Sequence, residues 1–166
     1  MAHTVEQLAQ SFRNALKAQP GPGGRKKICE LLQAALQDEA FIASTFSDAT
    51  SDRHLLYEDP ELGFCILAHN HKGAKDSPPH DHGPSWAIYG QVRGETQMSD
   101  WDLVLPPGAD KPGKVRHRKT YKLMPGMAHV YNEGDLLSPS RAGPTRLIRF
   151  EGANMEKIKR RIFVVI

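Results

Sequence analysis

Two histidines, His80 and His82, stand two residues apart between Pro78-Pro79 and the run Trp86-Ala87-Ile88-Tyr89. On an extended chain, residues i and i+2 point to the same face, so the two imidazoles can approach one metal ion from one side. Neutral imidazole serves Fe, Zn, Ni or Cu, and the spacing does not choose among them. Asp81 falls on the opposite face and is not counted as a ligand. A third ligand has two candidates. His129 follows Pro125-Gly126 in a short apolar segment, and His69 closes the apolar run Phe64-Cys65-Ile66-Leu67-Ala68; His129 is preferred. The ordinary alternative for each is a packed or solvated imidazole, and it applies more strongly to His54, His71, His117 and the near-terminal His3. Arg53 offers a planar fork that matches a carboxylate in two places, its alternative being a strand-end arginine. Trp86 and Tyr89 lie close to the histidine pair and most simply pack a wall, but the Tyr89 hydroxyl is a candidate polar group in a cavity. Arg53 and Tyr89 are therefore the candidate catalytic residues, and His80, His82 and His129 the candidate metal ligands.

The elements that position these residues change character along the chain. Val5, Leu8, Ala9, Phe12 and Leu16 recur at helical spacing, and Thr4 with Gln7 forms a capping box for a helix over 4–19. Residues 20–24, Pro-Gly-Pro-Gly-Gly, read as a loop. A second helix carries Ile28, Leu31, Leu32, Ala35 and Leu36, and a third piece spans about 38–47. Such apolar stripes mark helices that cover a hydrophobic surface. From residue 53 short strands alternate with Gly/Pro turns: 53–57, 64–69, 86–92, 95–105, 114–123, 129–131, 146–150 and 162–166. That pattern predicts a β-sandwich or barrel.

The length of 166 residues suits one domain with a sizeable core. We expect residues 1–50 to form helices packed on a barrel made by 51–166. The formal charge of +3 is too mild to argue for nucleic acid. The basic runs Lys114–Lys119 and Lys157–Arg161 read as solvated faces. No apolar run reaches the length of a membrane span, and the N-terminus lacks the pattern of a signal peptide. Two cysteines, Cys29 and Cys65, imply no disulfide framework, so a cytoplasmic setting is expected.

His80-x-His82, Gly94, Pro125-Gly126 and Gly134 together resemble the two cupin motifs. The resemblance implies a mainly β fold, an RmlC-like jelly-roll β-barrel, with an N-terminal helical segment. Within cupins the chain looks closest to the cysteine and thiol dioxygenases, which have helices before the barrel, lack the glutamate of the first motif and hold Fe(II) with three histidines. Arg53-His54-Leu55 is similar in place to the Arg-x-Leu segment that binds substrate carboxylate in that group. The departures are specific. Ala87 stands at the glutamate position and Leu137 at the third histidine, eleven residues after Gly126. Arg146, Ile148 and Phe150 fall where the dioxygenases carry a Ser-His-Tyr relay. The resemblance thus implies O2-dependent oxidation of a small thiol or carboxylate at a mononuclear site, with Fe(II) as the first choice of divalent metal and Ni, Zn or Mn as others. The alternatives are a small-molecule-binding cupin with a degenerate or absent metal site, or a non-oxidative cupin isomerase or lyase. A homodimer is a family-based expectation.

Overall fold

The computed structural model describes residues 3–166. Helix α1 spans Val5–Ala18, and the Thr4 hydroxyl accepts the Gln7 N–H at its start, as the capping pattern predicts. Helix α2 spans Pro22–Leu36 and therefore begins inside the expected loop. Proline fits the first helical position, where its missing N–H has no partner to lose. At Gly24 a Cβ would lie 1.9 Å from the Gln19 carbonyl oxygen, so the glycine permits α1 and α2 to cross closely. Helix α3 spans Glu39–Thr45 and is capped by Asp38, which accepts the Phe41 N–H.

The strands are β1 (His54–Glu58), β2 (Cys65–His71), β3 (Lys75–Asp76), β4 (Ala87–Arg93), β5 (Thr96–Leu105), β6 (Gly113–Leu123), β7 (Ala128–Tyr131), β8 (Leu136–Arg141), β9 (Thr145–Glu151) and β10 (Phe163–Val165). They form two five-stranded sheets in the orders β1-β2-β9-β4-β7 and β10-β6-β5-β8-β3. Every pairing is antiparallel except β10 on β6. The fold is the mainly β jelly roll with N-terminal helices that the sequence implies. Strands β3 and β8 were not expected. Ser138-Pro139-Ser140 falls outside the expected elements, yet it pairs with Ser99, Met98 and Gln97 of β5.

Both faces of the first sheet are buried. Its outer face, with Ile66, Ala68, Ile88, Ile148 and Phe150, packs under Leu8, Phe12, Ile28 and Leu32 of the helices. Phe12 meets Phe150 edge-on with ring centroids 4.0 Å apart. Gly90 lets α2 approach β4, since a Cβ there would be 2.9 Å from Leu32 Cδ2. Polar contacts pin α1 to the strand ends: Arg13 Nε donates to Asp59 Oδ1 at 2.9 Å, and Asp59 also accepts from the Tyr57 hydroxyl and the Leu62 N–H. The inner face contributes Ala87, Tyr89, Tyr131 and Leu147 to a second core, closed by Met98, Leu123 and Leu137 of the opposite sheet. No helix is long and apolar enough to cross a membrane among the described residues.

Candidate binding cavity and histidine pair

His80 and His82 lie in the segment leading into β4. The backbone of His80 exchanges two hydrogen bonds with Leu137 of β8, each 2.9 Å long. His80 Nδ1 lies 3.0 Å from the Pro78 carbonyl oxygen, which can only accept; Nδ1 therefore carries the proton and Nε2 is a bare acceptor. Burial, opposed by that carbonyl and reinforced by Arg160 and Arg149, holds the His80 pKa down to about 4. His82 is 3% exposed. Its Nε2 is 3.1 Å from the Tyr89 hydroxyl, and its buried Nδ1 has no partner. Burial, with Arg149 and His80 nearby, lowers its pKa to about 2. The two rings, 5.6 Å apart, are thus neutral near pH 7.

Tyr89 connects this pair to the barrel interior. Its hydroxyl meets His82, and the Arg149 guanidinium lies over its ring, 4.2 Å from the centroid. Burial raises the Tyr89 pKa, so it stays protonated. A cavity of about 190 Å³ opens beside it, lined by Arg53, His69, His80, Tyr89, Arg149 and Arg160, among others. Wider grooves of about 570 to 600 Å³ lie elsewhere and contain neither His80 nor His82.

The other expected site residues are placed as follows. His129 on β7 stacks between Tyr131 and Tyr121, at 4.6 and 5.2 Å, and lines a separate cleft with Asp100 and Trp101. Tyr131 in turn meets Tyr89, so the structure does not bring His129 to the pair. His69, the less favoured candidate, does share the cavity with His80. Its Nδ1 donates to the Asp52 carbonyl oxygen at 2.9 Å, and its Nε2 is buried without a partner. Burial, aided by Arg149 and His71, holds its pKa well below the usual histidine value. Arg53 lines the cavity, but its fork is filled by Glu151, at 3.1 and 3.2 Å, and its Nε by Glu156 at 3.1 Å. No three His, Cys, Asp or Glu side chains converge closely enough to hold a metal ion among the described residues. Leu137, expected at the third position, is wholly buried and bridged to His80 through the backbone. The residues present do not fit a three-histidine iron centre.

The expected relay face is corrected by one residue. Ile148 and Phe150 face the helices, and Arg146 bonds to Asn70 and Asp48. The residues that face inward on β9 are Leu147, Arg149 and Glu151, registered against Gln91, Tyr89 and Ala87 of β4. Both faces of β9 are buried, so its apolar residues alone do not say which side is the interior. Arg149 and Glu151 were missed by sequence reasoning. The available signal was a pair of opposite charges, two apart, interleaved with Ile148 and Phe150. Glu151 is 0% exposed and also lies 3.6 Å from Arg149 Nη1.

A strap over residues 152–161 crosses the mouth. Glu156 and Asn154 reach Arg53, Arg161 pairs with Asp81, and Arg160 enters the cavity lining.

No protein-family model matches the chain, and no curated protein matches its sequence. It is similar to several solved structures. One is the Cnp3 cupin domain of Schizosaccharomyces pombe, at 10% identity and a TM-score of 0.46, covering 63% of this chain; this chain spans 62% of that one. Another is a cupin superfamily protein of Desulfitobacterium hafniense, at 9% identity and a TM-score of 0.47, covering 65% of this chain and 84% of that one. A third is KdgF from Halomonas sp., at 14% identity and a TM-score of 0.45, covering 68% and 89%.

Proposed function

We propose that this chain is a cupin whose barrel cavity binds a small molecule beside a two-histidine site, in place of the three-histidine centre of a thiol dioxygenase. The observation that carries the reading is Leu137. It is wholly buried and bridged to His80 at the position where the third imidazole would stand. A leucine there has no donor atom, and neither His129 nor a carboxylate replaces it. The chain's own residues supply a polar cavity instead. Tyr89 is held between His82 and Arg149, His69 and His80 each present an unprotonated nitrogen, and Arg160 of the strap joins the lining.

A second reading, metal-dependent oxidation of a small thiol or carboxylate, draws on one observation: His80 and His82 are both neutral, with His80 Nε2 and His82 Nδ1 left without partners in the protein. One experiment separates the two. Protein purified without chelator is analysed for metal, and O2 uptake is followed with a panel of small thiols, for wild type and for the His80→Ala, His82→Ala double variant. The binding reading expects the same trace metal in both proteins and no thiol-dependent uptake. Stoichiometric metal and thiol-dependent uptake, both lost in the double variant, would overturn it.

A further inference from the structure

We propose that the cavity beside His80 is built for a small oxyanion that carries two negative charges and a hydroxyl group, gripped between Arg149 on β9 and Arg160 on the strap. The inference rests on the binding role proposed above and names the class of ligand.

Five cationic side chains line the cavity, Arg53, Lys75, Arg141, Arg149 and Arg160, against one carboxylate, Asp52. Glu151 and Glu156 do not offset them all. Glu151 gives both oxygens to Arg53 and touches only one nitrogen of Arg149. Among the described residues, Lys75, Arg141 and Arg160 make no ion pair, and the buried Nε of Arg149 has no acceptor. Asp52 itself is engaged by His71. Like charges around a small, partly enclosed volume repel more strongly than they would in water. The Arg141 guanidinium registers this: burial lowers its pKa and Arg149 lowers it further, although Asp52 opposes both. An anion in the cavity relieves the repulsion. The unpaired cations sit on β3, β8 and the strap, and the unsatisfied Nε of Arg149 on β9, so one negative group satisfies one wall and leaves another uncompensated. Guanidinium groups match planar or tetrahedral oxyanions through paired N–H donors.

The histidines add a second requirement. His69, 4% exposed, and His80 both spend their Nδ1 protons on backbone carbonyls. Each therefore offers the cavity a lone pair at Nε2, and a bare oxyanion cannot satisfy a lone pair. A hydroxyl on the ligand can donate to one of them while its charged groups meet the arginines. The volume, about 190 Å³, admits a molecule of a few heavy atoms and no polymer.

The test is calorimetric titration at low ionic strength with four probes: acetate, succinate, malate and inorganic phosphate. Succinate should bind about tenfold or more tighter than acetate, and malate several-fold tighter than succinate. Phosphate as the tightest probe would assign the anion to a phosphoryl group, and malate as the tightest to a hydroxy-dicarboxylate; either supports the inference. Arg149→Met and the half-exposed Arg141→Gln and exposed Arg160→Gln should each weaken the dianions about tenfold, and His69→Phe should erase the difference between malate and succinate. Acetate binding as tightly as succinate, or dianion affinities unmoved in Arg160→Gln and Arg141→Gln, would overturn it. Saturable acetate binding that ignores the arginine variants would sink the dianion class alone. No saturable binding by any probe would sink the binding role with it.

Discussion

Removing one buried charge should separate the stability of the barrel from the appetite of its cavity. Glu151 is 0% exposed and holds Arg53 at 3.1 and 3.2 Å, Arg149 at 3.6 Å and the Met155 N–H at 3.3 Å. Glu151→Gln keeps the shape and removes the charge. Arg149 is then left without a carboxylate, and Arg53 with only Glu156. Taking one partner from a buried pair costs about 3–5 kcal/mol. Arg53 is 26% exposed and retains Glu156, so the lower end applies, about 3 kcal/mol. For a chain of this length that corresponds to a fall in Tm of about 6–12 °C. Urea melts followed by far-UV circular dichroism at pH 7 measure it. Glu156→Gln is the control. Its carboxylate is 68% exposed, and its loss should cost less than about 1 kcal/mol. The same Glu151→Gln protein gains one unit of positive charge in the cavity, so it should bind succinate more tightly while being less stable. The reasoning is refuted if Glu151→Gln melts within about 0.5 kcal/mol of wild type, if Glu156→Gln matches it, or if succinate binding weakens.

Further outcomes follow from other parts of the fold. Phe12→Ala removes a wholly buried ring from the helix–sheet contact and should cost about 3–5 kcal/mol by chemical denaturation; a cost below about 1 kcal/mol would mean that the helices are loosely attached. Leu137→His places an imidazole across from His80, and metal analysis should show stoichiometric uptake that wild type lacks; equal metal in both would show that Leu137 is not the missing ligand position. Burial pushes the Asp59 carboxyl up, but Arg13, the Leu62 N–H and Tyr57 outweigh it and bring its pKa down to about 2. A folded pKa below the unfolded one stabilises the fold above about pH 4 and loses that contribution as pH falls toward 2. Thermal melts between pH 5 and pH 2 should therefore decline more steeply for wild type than for Asp59→Asn, and parallel curves would contradict the assignment.

What the sequence made legible divides along physical lines. Local signals carried the helices: Thr4 with Gln7, the stripe through Leu8 and Phe12, and the stripe through Ile28 and Leu32, although α2 starts at Pro22, inside the expected loop. They also carried the nearness of the His80 and His82 rings, because a two-residue spacing is a local fact. Pairing information was not available. Strand β8 was hidden because Pro139 breaks the local pattern, and its partners on β5 and β3 make it a strand. The face of β9 was misassigned for the same reason: Ile148 and Phe150 are as apolar as an interior demands, but the interior they serve lies under the helices. The cavity's cations come from β3, β8, β9 and the strap, far apart in the chain, and nothing local marks them as neighbours. Arg53 shows the complementary limit. Its place in the chain was legible, whereas its engagement by Glu151 depends on strands nearly a hundred residues apart.

The alternation on β9 has a consequence for how such a protein can be retooled. Leu147 and Arg149 line the cavity, while Ile148 and Phe150, their immediate neighbours, anchor the helices. Exchanging Arg149 rewrites what the barrel holds without touching the helix–sheet seam, and exchanging Ile148 or Phe150 does the reverse. A lineage could drift from one ligand to another through substitutions at alternate positions of a single strand. A one-residue deletion in that strand, by contrast, would drive the charges under the helices and the rings into the cavity, abolishing both roles at once.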